Sequence, residues 1–209
     1  MIKIILVDDH SILREGLKEI LSTQADFEVV GEAANQSQLL PLLNLEWDLL
    51  ILDIGLPGAN GLEILKSIKK DYPQKQVLIL SMYPEDQYAL RALKAGASGY
   101  LVKECAGEEL VTAIRKISMG EKYLRKENAE QLIFSLLKDD TEDPHQKLSD
   151  REFEVIQLIA SGKTLSEIAE QLSLSVKTVS TYRSRILEKM NLKSNAELTR
   201  YAFEKKIVQ

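Results

Sequence analysis

The stretch Leu49-Leu-Ile-Leu-Asp-Ile-Gly-Leu-Pro57 decides how the rest of the chain is read. Its apolar run, Leu49 to Leu52, fits a strand buried on both faces, as in a parallel sheet covered by helices. The run ends on Asp53, and Gly55 and Pro57 turn the chain just after it. A carboxylate in that place stands at the carboxyl edge of a parallel sheet, where open α/β sheets bind ligands. Taken alone, Asp53 either caps the strand or does chemistry.

Three other apolar runs bear on that choice. Ile2 to Val7 leads directly into Asp8 and Asp9; the run 76–80 ends at Ser81; the run 98–102 ends at Lys103. If these strands are parallel and adjacent, their ends bring carboxylates, a hydroxyl and an ammonium to one pocket. Asp8, Asp9 and Asp53 suit a hard cation, and Ser81 and Lys103 suit a phosphoryl group.

With these residues in register, positions 2–118 resemble the receiver domain of a two-component response regulator. The resemblance implies that Asp53 is the nucleophile that takes a phosphoryl group from the phosphohistidine of a sensor histidine kinase. It implies Mg²⁺ held by Asp9, Asp53 and the carbonyl of Gly55, with Asp8 assisting through water. Lys103 would pair with the phosphoryl oxygens, Ser81 would bond one of them on activation, and Tyr100 would be the switch aromatic that moves inward. The sequence departs from the common pattern at Asn60-Gly61, where an acidic residue before the glycine is usual.

Helical periodicity fills the gaps between the strands. Ile12, Leu13, Gly16, Leu17, Ile20 and Leu21 follow Ser11 at helical spacing, and similar patterns run through 35–45, 60–71, 85–95 and 107–118. Five strands alternating with five helices make an α/β, doubly wound (βα)5 parallel sheet, for which the resemblance implies the strand order 2-1-3-4-5. Trp47 is expected to pack at the end of the second helix.

In a chain of 209 residues, 44% hydrophobic and 28% charged content is ordinary for a globular protein of one or two domains. No apolar run reaches the roughly 18 residues that span a bilayer, so no membrane partner and a cytoplasmic location are expected. The lone Cys105 agrees with a reducing compartment, and His10 and His145 are too scattered for a zinc site. The net charge of −5 divides unevenly. Residues 1–120 carry 12 basic against 17 acidic side chains, residues 121–147 carry 5 against 7, and residues 148–209 carry 10 against 8. The last part is therefore mildly basic and able to meet phosphates.

Residues 121–138 read as a further helix through Ala129, Leu132, Ile133, Leu136 and Leu137. The polar run Lys138-Asp-Asp-Thr-Glu-Asp-Pro-His-Gln-Lys147 then breaks the pattern and is the linker candidate. The division expected is a receiver over 1–120, a linker over 121–147 and a second, all-α domain over 148–209. Ser149 with Glu152 and Thr164 with Glu167 have the spacing of capping boxes, with Leu148 and Phe153 as a hydrophobic staple. Ser175 caps a third helix, and Ser194 with Glu197 marks a fourth.

That third helix, about 176 to 190, has two faces. Val176, Val179, Ile186, Leu187 and Met190 follow a core stripe; Lys177, Ser180, Thr181, Ser184 and Arg185 fall outside it. Small hydroxyls reach base edges and Lys177, Arg183, Arg185 and Lys189 reach phosphates, although a polar stripe alone is also what a solvated face looks like. Leu148-Ser-Asp-Arg-Glu152, Ile159-Ala-Ser-Gly162, Glu167-Ile-Ala169 and Ser175-Val-Lys-Thr-Val179 resemble the LuxR-type helix-turn-helix. Tyr182 stands where many members of that family carry His.

Joined to the receiver, this four-helix domain resembles the NarL/FixJ class of response regulators. The class implies a DNA-binding transcriptional regulator, not an enzyme, which contacts double-stranded promoter DNA through the residues above and Thr178. It also implies a homodimer when phosphorylated, to which Leu198, Tyr201 and Ala202 either contribute or are internal core. Two other classes are weighed against it. A haloacid-dehalogenase-type phosphatase needs a second acid two residues after its nucleophile, where this chain has Gly55. A receiver that works by partner binding without phosphorylation would not need the full set of Asp8, Asp9, Asp53, Ser81 and Lys103.

Overall fold

A computed structural model describes residues 1–125 and 143–208 of the chain. By contact the chain divides into two units, Met1–Leu137 and Lys138–Gln209. Of the helix read over 121–138, residues 121–125 are not helical, because Tyr123 bridges to Gly99 at the sheet edge, and the rest lies outside the described residues.

In the first unit strands and helices alternate: β1 Ile2–Val7, α1 Ser11–Ser22, β2 Phe27–Ala33, α2 Gln36–Leu42, β3 Leu49–Asp53, α3 Gly61–Asp71, β4 Gln76–Ser81, α4 Glu85–Lys94, β5 Gly99–Val102 and α5 Ala106–Ser118. The strands form one sheet in the order β2-β1-β3-β4-β5, and every pairing is parallel. The apolar runs become strands because helices cover both faces: Ile4, Ile5, Leu6 and Val7 and all of Leu49 to Leu52 are buried. β2, which has no continuous apolar run, is the sheet edge beside β1, and only Phe27 and Ala33 at its two ends are buried.

Asn60 explains how the departure noted in the sequence is accommodated. Its side chain, 1% exposed, accepts a hydrogen bond from the Leu62 amide at 2.9 Å and caps α3. Gly61 beside it is required by space: a Cβ there would lie 2.5 Å from the Asp53 carbonyl oxygen and 2.6 Å from the Ile54 Cα. Trp47 is buried, its Nε1 donates to the Leu43 carbonyl at 3.3 Å, and it meets Tyr72 edge-on, which is the packing role expected of it. α2 stops at Leu42, short of the expected position 45, with Pro41 in its last turn.

Among the described residues, the second unit begins with a 3₁₀ turn, Pro144–Lys147, followed by α6 Asp150–Ala160, α7 Leu165–Gln171, α8 Val176–Lys189 and α9 Asn195–Glu204. Both capping boxes form, Ser149 with Glu152 and Thr164 with Glu167, and Ser175 and Ser194 cap α8 and α9. Leu148 and Phe153 are both buried at the start of α6.

Candidate functional site

Strand register brings the polar residues together. Val7 pairs with Leu52, so Asp8 stands level with Asp53. Asp53 pairs with Leu80, and Ser81 pairs with Val102, which carries Ser81 and then Lys103 to the same edge. Asp8, Asp53 and Ser81 are at most 2% exposed, and Lys103 is 6% exposed.

The Lys103 ammonium donates to Asp53 Oδ2 at 2.6 Å and lies 2.7 Å from Asp8 Oδ2. Asp53 Oδ1 accepts from the Gly55 amide at 2.9 Å. Asp8 Oδ1 accepts from the His10 amide at 2.8 Å, and Arg14 Nη1 donates to the Asp8 carbonyl at 2.6 Å, so both ends of Asp8 are held. Burial pushes the Asp53 carboxyl above the ordinary range, against the lowering pull of Lys103 and Gly55. Burial acts on Lys103 in the opposite sense, but its two carboxylates outweigh it and the ammonium is raised. Both shifts express one imbalance: a single buried cation faces two buried carboxylates, with Asp9 beside them.

A hard divalent cation fits that imbalance. Ligand atoms of Asp8, Asp9, His10 and Asp53 lie within 4.8 Å of one another. Among the described residues, Asp8 Oδ2 and Asp9 Oδ1 are buried without a donor at hydrogen-bonding geometry, although Lys103 and His10 are nearby at 2.7 and 2.9 Å. An oxygen-rich set with spare lone pairs is the donor chemistry that Mg²⁺ takes.

Ser81 and Tyr100 meet at the β4–α4 loop. The Tyr83 amide donates to Ser81 Oγ at 3.0 Å, and the Tyr100 hydroxyl donates to the Tyr83 carbonyl at 2.8 Å. Tyr100 is fully buried, so it already points inward, and burial raises its phenol well above the ordinary value. Tyr83 stacks on Tyr88 at 4.7 Å between centroids.

In the second unit α8 separates its faces as the periodicity predicts, with one exception. Val179, Ile186 and Met190 are buried and Leu187 is half-buried, but Val176 is 47% exposed, because at the first turn it points away from the bundle. Lys177, Thr181, Ser184 and Arg185 are exposed, and Thr178, Ser180 and Arg183 are half-buried. Thr181 and Ser184 hydroxyls donate to the carbonyls of Lys177 and Ser180, four residues back in each case. Arg183 Nε donates to Asn195 Oδ1 at 2.6 Å, and Lys189 Nζ donates to the buried Glu152 at 2.6 Å. Lys177 and Arg185 have no ion-pair partner among the described residues.

Comparison with known proteins covers both units. Residues 4–115 match the response regulator receiver domain, and residues 146–202 match the bacterial regulatory proteins of the luxR family. The oxygen regulatory protein NreC of Staphylococcus carnosus is 37% identical over 214 residues, covering 99% of each chain. The chain belongs to the NarL/FixJ family of response regulators. Among solved structures, RcsB from Salmonella enterica serovar Typhimurium, bound to promoter P1flhDC in the presence of the phosphomimetic BeF3⁻, is 26% identical with a TM-score of 0.68, covering 96% of this chain and 97% of that one. A structure of two RcsB dimers bound to two parallel DNAs is also 26% identical, with a TM-score of 0.60 over 100% of this chain and 99% of that one.

Within this response regulator the sequence-derived receiver residues converge, whereas two expected at a dimer contact do not reach the surface. Leu198 and Ala202 are fully buried in the packing of α9 against its own domain, so they are core residues. Tyr201 is half-buried, its hydroxyl 2.9 Å from His145 Nδ1. His10 is a neighbour of the acid cluster that sequence reasoning set aside. Its position directly after Asp9 was the signal, since a side chain at the turn out of β1 falls over the same edge. No described helix is long and apolar enough to cross a membrane.

Proposed function

We propose that this protein is a phosphorylation-controlled transcriptional regulator whose receiver spans 1–120, whose linker spans 121–147 and whose DNA-binding domain spans 148–209. The observation that carries the reading is the buried Asp53 carboxylate, clamped by Lys103 and Gly55 at the sheet edge. Asp53 attacks the phosphorus of a sensor kinase's phosphohistidine; the P–N bond breaks, imidazole leaves and an acyl phosphate forms. Lys103 then neutralises phosphoryl oxygen charge, and the Ser81 hydroxyl donates to one of those oxygens.

Asp9, Asp53 and the Gly55 carbonyl would hold Mg²⁺, with Asp8 assisting through water. Mg²⁺ supplies charge neutralisation for a phosphoryl group approaching an anionic pocket. The phosphoryl adds about −1.5 to −2 charge, and the β4–α4 loop that joins Ser81 to Tyr100 passes the change to the α4–β5–α5 surface.

The second domain reads promoter DNA through α8. Lys177 and Arg185 contact phosphates, and Thr178, Ser180, Thr181 and Ser184 present a low surface for the major groove. Arg183 and Lys189 act from their internal partners, Asn195 and Glu152. Phosphorylated copies bind as a homodimer on two half-sites, and the exposed Phe203 of α9 is available where Leu198 and Ala202 are not. The protein works in the cytoplasm, where kinase and promoter meet.

Binding of a promoter-library DNA pool, with and without acetyl phosphate and Mg²⁺, tests the reading. The donor tightens binding by the wild type and leaves Asp53→Asn unchanged. Equal binding by both proteins under all conditions would mean that partner binding, not phosphorylation, controls the receiver.

A further inference from the structure

Beyond α5 the chain does not leave the receiver at once. Residues 122–125 run back along the open edge of β5, where Tyr123 makes a parallel bridge with Gly99. The Tyr100 amide donates to the Tyr123 carbonyl at 3.1 Å and the Tyr123 amide to the Ser98 carbonyl at 3.0 Å. Lys122 Nζ donates to the Ala97 carbonyl at 2.5 Å. From α5, Glu109 accepts from the Tyr123 hydroxyl at 2.6 Å and pairs with Arg125 Nε at 3.2 Å.

Two details make this a built seat. Gly99 has no side chain where Tyr123 lies: a Cβ there would stand 2.9 Å from both the Tyr123 Cβ and its carbonyl oxygen. Glu85, the first residue of α4 and only 3% exposed, accepts from the Arg125 amide at 3.0 Å.

Glu85, at the start of α4, stands two residues after Tyr83, which lies on the loop that serves the site. That loop binds Ser81 Oγ through the Tyr83 amide, holds Tyr100 inward through the Tyr83 carbonyl, and holds Arg125 through Glu85. A single loop conformation satisfies all three. We propose that residues 122–125 are a latch, seated on the β5 edge, that phosphorylation of the receiver holds more tightly, with Glu85 as the residue that reports the state of Ser81 and Tyr100. The latch rests on Asp53 being the phosphoacceptor, and it adds an output at the β5 edge.

Amide hydrogen exchange in the full chain, followed residue by residue with and without beryllofluoride and Mg²⁺, tests it. In the wild type the Arg125 amide exchanges at least fivefold more slowly with beryllofluoride. Glu85→Ala loses that response, Glu85→Gln, which keeps an acceptor oxygen, restores it, and the Gly55 amide responds in all three. Gly99→Ala, whose new Cβ meets Tyr123, removes protection at Tyr123 and Arg125 together while the β3 amides stay protected. An Arg125 rate that is unchanged or faster with beryllofluoride, alongside a responding Gly55 amide, overturns the latch alone. A Gly55 amide that also fails to respond overturns both the latch and the phosphoacceptor reading beneath it.

Discussion

The Lys103 ammonium donates to Asp53 Oδ2 at 2.6 Å with both side chains buried, and the same nitrogen faces Asp8. Removing that cation leaves two buried carboxylates facing each other. Losing one partner of a buried pair costs about 3–5 kcal/mol. Lys103→Met is therefore expected to lower the stability of the receiver by that order in metal-free buffer. Mg²⁺ should raise the unfolding midpoint of the variant more than that of the wild type, because a bound cation stabilises the folded state in proportion to its affinity. Urea unfolding with and without Mg²⁺ checks both; a variant as stable as the wild type without metal would remove the case for a strained acid pair.

The cations of α8 divide by their partners. Lys177 and Arg185 are exposed and face solvent, so alanine at either should weaken DNA binding about equally for all sequences and cut the salt slope by about 1. Lys189 is tied to Glu152, so Lys189→Ala acts first on the fold, by about 1 kcal/mol once its partial exposure is counted. Anisotropy titrations over a range of salt concentrations separate the two effects. A Lys189 variant with full stability and a reduced salt slope would reverse the assignment.

What could be read from sequence depended on whether neighbours in sequence were neighbours in space. β1, β3 and β4 were legible because burial on both faces leaves unbroken apolar runs, and the acid cluster followed because strand ends in a parallel sheet share an edge. β2 carried no such run: it is an edge strand, with Gly31 in its middle and polar residues facing out. Leu198 and Ala202 look alike as core or as contact, since a helix's apolar stripe does not say what covers it; their complete burial decides for core. The Tyr123 bridge was illegible for a different reason. One paired residue leaves no alternation, and the glycine that admits it lies 24 positions away, at Gly99.

A kinase that delivers a phosphohistidine to Asp53 must cover the mouth of the pocket. Beside that mouth, His10, Ile12, Leu13, Met82, Lys103 and Ala106 line a largely apolar cleft, in which Ile12 is 89% and Met82 61% exposed. Ile12→Asp should slow phosphotransfer from the cognate kinase at least tenfold and leave labelling by acetyl phosphate unchanged. Single-turnover transfer of labelled phosphate reads both rates. Equal slowing with both donors would mean that the substitution disturbs the acid cluster itself.

Glu152 ties the start of α6 to the end of α8, and its titration gives the DNA-binding domain a pH dependence of definite sign. Burial pushes its carboxyl up, but the Lys189 hydrogen bond and the Ser149 amide and hydroxyl together hold it below the ordinary carboxylate value. A carboxylate whose folded pKa is depressed contributes stability that is fully present above its unfolded pKa of about 4.3 and is lost as pH falls through the folded value. The domain should therefore hold its stability at neutral pH and lose part of it in the acid range below about 4.3. Lys189→Ala raises the folded pKa toward the unfolded one, or past it once burial is uncompensated, so the variant starts from lower stability and loses less on acidification. Carboxyl NMR titration of Glu152, with urea midpoints measured between neutral and acid pH, checks the argument. A Glu152 that titrates at the ordinary value in the wild type would show that the ion pair brings the domain no net stability.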